Sequence, residues 1–165
     1  MPVSSTDGKR RTLSDHERIR VDLTRDRQGD WPPSDAEWLW ARKLVDDRYL
    51  VDNIPIYARN VSYGDIVAAK KVNDELHLTK VVKPGGHSTY RVILLNGTSL
   101  STAPARKHWD ALARMGCTFE GLQGGPLFAI DVLPDADIFA VYGELKRGER
   151  EGVWDFEEAN FEHRR

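Results

Sequence analysis

Residues 117–161 read CTFEGLQGGPLFAIDVLPDADIFAVYGELKRGEREGVWDFEEANF, and this stretch decides the fold. Cys117 to Leu122 and Leu127 to Leu133 are short runs of strand length, separated by Gln123-Gly124-Gly125-Pro126, a hairpin signal. Pro134-Asp135 then opens a segment with Ile138, Phe139, Val141, Tyr142 and Leu145 at helical spacing, which Gly148 and Gly152 close. From Val153 to Phe161 the pattern returns to period two, Trp154 and Phe156 alternating with Asp155 and Glu157.

Working outward, Gly85-Gly86 is a break, Thr89 to Leu95 is an apolar strand, and Ser101 or Thr102 can cap a helix that carries Pro104, Ala105, Trp109 and Leu112 and stops at Gly116. The order is strand, helix, strand, strand, helix, strand. The handedness rule for crossovers turns it into a ferredoxin-like βαββαβ sheet with both helices on one face. Upstream, the alternation of Ile19, Val21 and Leu23 predicts a strand, as do Glu37 to Leu44, the Tyr49–Val51 segment, Ile66 to Val72 and Leu76 to Val82. Asp46-Asp47 and Asn73-Asp74 read as turns. The expected class is therefore α+β: a tail over residues 1–17, a small β-rich lobe (a bent sheet or barrel) over 18–84, and a ferredoxin-like lobe over 85–165. The aromatics Trp31, Trp38, Trp40, Tyr49, Tyr57 and Tyr63 of the front lobe are expected mostly in the core.

Between Trp31 and Val92 the text resembles a bacterial family known as domain of unknown function 4265. The matching words are Trp31-Pro32-Pro33, Glu37-Trp38-Leu39-Trp40-Ala41, Leu50-Val51-Asp52-Asn53-Ile54-Pro55, Val61-Ser62-Tyr63-Gly64-Asp65-Ile66-Val67 and Gly86-His87-Ser88-Thr89. The resemblance transfers no activity. It implies a small stand-alone protein, a profile shared with antidotes to secreted toxins.

The chain of 165 residues, 40% hydrophobic and 30% charged, is long enough to bury a core without disulfide or metal. A single cysteine, Cys117, rules out an intramolecular disulfide and suits a reducing compartment. Met1 to Asp15 lacks the apolar centre of a secretory leader, so cytoplasmic residence is expected. A net charge of −2 with mixed signs gives no basic face for nucleic acid, and no apolar run reaches membrane-spanning length.

Gly86-His87-Ser88-Thr89 is the most chemical of the loops, with an imidazole able to act near neutrality and two hydroxyls able to meet an anion. Local bonding of such side chains to the backbone is their commoner use and is the favoured explanation of this loop. Asn53 and Asp65 are the other polar candidates, and the ligand-binding group expected on an inter-lobe pocket is Asn53, Asp65, His87, Ser88 and Thr89. No catalytic constellation, cofactor fingerprint or metal-ligand spacing is present among the five histidines and Cys117. Asp155, Glu157, Glu158 and Glu162 make the last strand acidic, which either solvates an edge or steers a basic partner. The favoured reading is a non-enzymatic protein that binds another protein, in its most specific form an immunity-type antidote to a toxin. A small-ligand protein or enzyme built around His87 is the alternative, and an open sheet face also allows a homodimer.

Overall fold

The computed structural model describes residues 2–4, 16–122 and 124–164. Two sheets organise them. Strands β2 (His16–Asp22), β3 (Ala36–Lys43), β4 (Arg48–Val51), β5 (Ile66–Val72) and β6 (Glu75–Lys83) run as an antiparallel meander that closes into a barrel. An odd number of alternating strands leaves the first and last pointing the same way, so the closing seam between β2 and β6 is parallel, through Ile19 opposite Leu76 and Arg20 opposite His77. The tight turns are those of the sequence: Asp46-Asp47 and Asn73-Asp74 all take positive φ, as hairpin loops of this hand require.

The second sheet has the order β1-β8-β9-β7-β10, formed by β7 (Ser88–Leu94), β8 (Cys117–Leu122), β9 (Leu127–Val132) and β10 (Trp154–Asn160), with β1 (Pro2–Ser4) added antiparallel to β8. Helices α1 (Ala105–Arg114) and α2 (Ile138–Arg150) lie between its strands in sequence and pack on one face. The four strands β7 to β10 and the two helices form the ferredoxin-like lobe expected from the sequence. Its core joins Tyr90, Val92, Ile130 and Val132 of the sheet to Trp109 and Leu112 of α1 and to Ile138, Val141 and Leu145 of α2. His108 of α1, fully buried, ties the helices together by contacts of 2.6 Å to Glu144 and to Glu151.

Several details depart from the sequence reading. The tail expected over 1–17 lies mostly outside the described residues, but Pro2–Ser4 is an edge strand and His16 and Glu17 already belong to β2. Neither Ser101 nor Thr102 caps α1; the helix starts at Pro104 without a side-chain cap, and the Thr102 hydroxyl bonds Ser99 instead. Helix α2 begins at Ile138, later than Pro134, because the Asp137 carboxylate accepts the Phe139 and Ala140 N–H groups. Gly148 does not end it. It lies inside α2 with the buried Trp154 indole so close that a Cβ would meet the ring at 2.4 Å. Trp38 and Trp40 sit on the outer wall of the barrel beside Arg18, while Glu37, Leu39 and Ala41 point inward; of the six front-lobe aromatics expected mostly in the core, Tyr49 alone is buried.

Candidate functional site between the lobes

A ferredoxin-like sheet with helices on one face has a second face to cover. Here the connection from β4 to β5, residues 52–65, lies across it. Ile54 and Ile56 pack on Leu127 and Ala129, with Trp31, Tyr57 and Tyr63 at the margin. A buried loop must find partners for its backbone, because an unpaired amide away from water costs as much as a lost hydrogen bond. Acidic side chains supply them. Glu37 of β3 accepts N–H bonds from Ile56 (2.6 Å), Tyr57 (2.8 Å) and Ala58 (2.8 Å), and Glu120 of β8 accepts from Ile54 (3.2 Å). Burial pushes the Glu37 carboxyl above its ordinary range, against the pull of those three bonds and of the Arg91 charge. Arg91 of β7, itself 2% exposed, donates from Nη1 to the Ile56 carbonyl and from Nε to Glu157.

The expected site residues are not all brought together. Asn53 holds the loop: its Oδ1 accepts from the Trp40 N–H at 2.7 Å and its Nδ2 reaches the Ile54 carbonyl. Asp65, His87, Ser88 and Thr89 do converge at the end of the sheet, and they are joined by residues from the far end of the chain. Asp65, fully buried, accepts from the Ser62 and Gly85 N–H groups, each at 2.9 Å. Glu162 accepts from the Gly86 N–H (2.8 Å) and from Asn160 (3.1 Å), and a side-chain hydrogen bond joins it to Asp65. Two carboxyls can share such a bond only when one is protonated. Burial first, and then Asp65, push Glu162 up to about 7.

The His87 ring is held from two sides. Its Nδ1 lies 2.9 and 2.8 Å from the two carboxylate oxygens of Asp131, which is 3% exposed. Tyr63 meets the ring edge-on at 5.2 Å. Gly64 lies beneath it at positive φ, where a Cβ would come within 3.1 Å of the imidazole, so this position needs both the left-handed backbone and the missing side chain. Burial alone lowers the His87 pKa, but the Asp131 bond and charge, with Glu162 and Asp65 behind them, outweigh it and leave it raised. Asp131 is raised as well, by burial, against the opposing pull of His87. His87 thus retains its proton to higher pH than a free imidazole.

Ser88 and His163 form a second histidine contact of 2.6 Å that is structural rather than nucleophilic. The His163 Nε2 donates to the Leu133 carbonyl, which leaves Nδ1 to accept the Ser88 hydroxyl proton. The Ser88 oxygen in turn accepts the Glu162 and His163 N–H groups, and the residue is fully buried. Thr89 bonds Ser62 at 2.7 Å, and Asn160 donates to the same Ser62 hydroxyl. Beside the cluster is an open cleft of about 460 Å³, lined by Gly86, Pro134, Phe139, Glu162, His163 and Arg164.

Cys117 is buried and its thiol is pushed up to about 12, burial first and the Asp131 charge second, so it is a packing residue. Among the described residues no group of three or more His, Cys, Asp or Glu side chains is arranged to hold a metal ion, and no helix is long and apolar enough to cross a membrane.

The residues missed from the sequence are Asp131, Glu162, His163, Glu37 and Arg91. For Asp131 and Arg91, as for Glu120, the signal was the lone charge in an otherwise apolar or aromatic strand, LFAIDV, STYRVIL and CTFEGL: Arg91 and Glu120 bond the barrel loop and Asp131 bonds His87.

A barrel whose β4–β5 connection covers the sheet of a ferredoxin-like lobe, fastened by buried acids and the His87 cluster, defines the class: a two-lobed α+β protein. Residues 37–156 match the family described as Domain of unknown function (DUF4265), and the chain belongs to that family. It is similar in structure to a hypothetical protein from Neisseria gonorrhoeae, with a TM-score of 0.75 over 90% of this chain and 97% of that one, at 19% identity. That likeness is one of fold alone. The chain matches no curated protein.

Proposed function

We propose that the protein is a non-enzymatic binding module that docks onto another protein through the β10 edge, and that its specific role is that of a cytoplasmic immunity-type antidote covering a cationic site on a toxin. The observation that carries the docking reading is the position of the acidic strand. Among the described residues β10 is the outermost strand of its sheet and pairs only with β7, and Asp155, Glu157 and Glu158 are all exposed along it. Exposed carboxylates on an edge attract a basic surface and set the register of its approach. The antidote role rests on analogy with small stand-alone proteins of similar profile. The polar groups at the His87 cluster are largely spent on one another, which favours fastening over turnover. Capture of the tagged protein's partners from its own lysate, read by mass spectrometry, tests the proposal. One stoichiometric partner, released by the double variant Asp155→Lys/Glu158→Lys while thermal melting is unchanged, is the expected result. Absence of any partner, or one indifferent to charge reversal, refutes it.

A small-ligand or enzymatic role is the second reading, favoured by one observation: Glu162, its carboxyl pushed up to about 7, lines an open cleft with His163 and Arg164. A metabolite that raises the melting temperature of the wild type and not of His87→Ala would establish it in place of the first.

A further inference from the structure

Beside the β10 edge lies a groove of about 300 Å³ on the part of the sheet face that the barrel loop leaves bare. Trp31, Ile93 and Leu127 give it apolar walls, Asp155 and Glu157 stand at its rim, and the buried Arg91 forms its floor. The Nε and Nη1 donors of Arg91 are used, on Glu157 and on the Ile56 carbonyl. Its Nη2 is buried and has no hydrogen-bond partner among the described residues. A guanidinium nitrogen left unpaired in a low-dielectric site carries the full cost of its lost hydration, and an acceptor that reaches it recovers that cost. Charge decides which acceptor. Glu157 pairs with both Arg91 and Arg59, and Glu37 lies near enough to act on Arg91 as well, so the two bases are already offset by two acids. Asp155 then leaves the rim negative. A neutral carbonyl oxygen fits Nη2 better than a carboxylate, and a cation fits the rim.

We infer that this groove receives an extended peptide segment of the docked partner: one aliphatic side chain between Trp31, Ile93 and Leu127, a main-chain carbonyl toward Arg91 Nη2, and a lysine or arginine two residues along, on the same face of the extended chain, beside Asp155. This deepens the docking proposal and rests on it for the identity of the occupant. The probe is acetyl-leucyl-threonyl-lysine amide, titrated to millimolar concentration into the ¹⁵N-labelled full chain, with the Trp31 indole signal assigned through Trp31→Phe. The expected result is a saturable shift of that signal. Replacing the lysine by glutamate, or the leucine by glycine, should weaken it by roughly tenfold, as should Ile93→Asp at the exposed lip of the groove. Arg91→Lys, which removes Nη2, should weaken it too; if that variant fails to fold, Ile93→Asp carries the test. A Trp31 signal that does not move, or moves equally with the glutamate peptide, overturns the inference. Its failure leaves the charge-reversal capture experiment unaffected, and a partner indifferent to charge reversal leaves the peptide titration standing.

Discussion

Replacing Glu37 should unfasten the two lobes. Its carboxylate is the acceptor for three consecutive backbone N–H groups, at 2.6, 2.8 and 2.8 Å, in a loop buried against the ferredoxin-like sheet. Glu37→Ala leaves all three donors without a protein partner. Each buried donor left unsatisfied costs about 1–3 kcal/mol. The vacated space admits water to some of them, and burial of the carboxylate was itself unfavourable, as its raised pKa shows. The net expectation is a loss of about 3–5 kcal/mol, a large part of the roughly 5–15 kcal/mol that holds a domain folded. Glu37→Gln retains one carbonyl oxygen but turns an NH₂ toward the remaining donors, so it should lose about 2–3 kcal/mol. Urea titration followed by tryptophan fluorescence and by far-ultraviolet circular dichroism gives both values. If Glu37→Ala lay within about 0.5 kcal/mol of the wild type, the loop would not depend on this carboxylate and the account of how the sheet face is covered would be wrong.

The pH dependence has a definite sign. Glu162, raised to about 7, binds a proton in the folded chain that the unfolded chain releases near the ordinary value of 4.5, so stability should fall as pH rises between these values, by roughly 1–2 kcal/mol after solvent screening. Glu162→Gln should flatten that slope in urea titrations run across the interval. His87 is also raised, so its contribution is complete below the ordinary histidine pKa and fades as pH climbs through the raised one; His87→Gln should flatten this upper limb, and a wild type that gained stability on going alkaline would refute both assignments. Gly148→Ala places a methyl 2.4 Å from the Trp154 ring and should cost about 2–4 kcal/mol by overpacking, whereas Gly143→Ala, with open space around it in the same helix, should be neutral or stabilising by a few tenths, both read by thermal melting. His108→Ala removes the contacts to Glu144 and Glu151 and leaves Glu144 buried without its histidine partner, for a loss of about 2–4 kcal/mol.

Most of the fold was legible because its signals are local. Alternation along Val153–Phe161, helical spacing from Ile138 to Leu145 and the two-residue turns each act over a few positions, and the ferredoxin-like order follows from their sequence. The barrel was legible as a run of short strands but not in its polarity. The parity that carries Trp38 and Trp40 suggests an aromatic interior, but Glu37, Leu39 and Ala41 are the residues that point inward. The candidate site was half legible. His87, Ser88, Thr89 and Asp65 sit in conspicuous loops and do converge, but what they converge on is Asp131, within a strand, and Glu162 and His163, near the other end of the chain. No spacing rule connects Asp65 to Glu162, because the barrel and the last strand meet only after both lobes have formed. Asn53 was conspicuous for another reason, as the partner of a buried backbone amide.

The interleaving of the two lobes has a consequence for how such a protein can be inherited. The first described strand, Pro2–Ser4, lies on the sheet of the second lobe, and the last residues, Asn160 and Glu162, return to fasten Ser62 and Asp65 of the first. A cut between β6 and β7 would therefore yield no pair of free-standing pieces: one would lose the cover of Leu127 and Ala129, and the other would keep a loop whose Ile54 and Ile56 side chains lay bare and whose Ile54 amide had lost its acceptor on Glu120. Recombination cannot trade this barrel, or this ferredoxin-like unit, as a cassette.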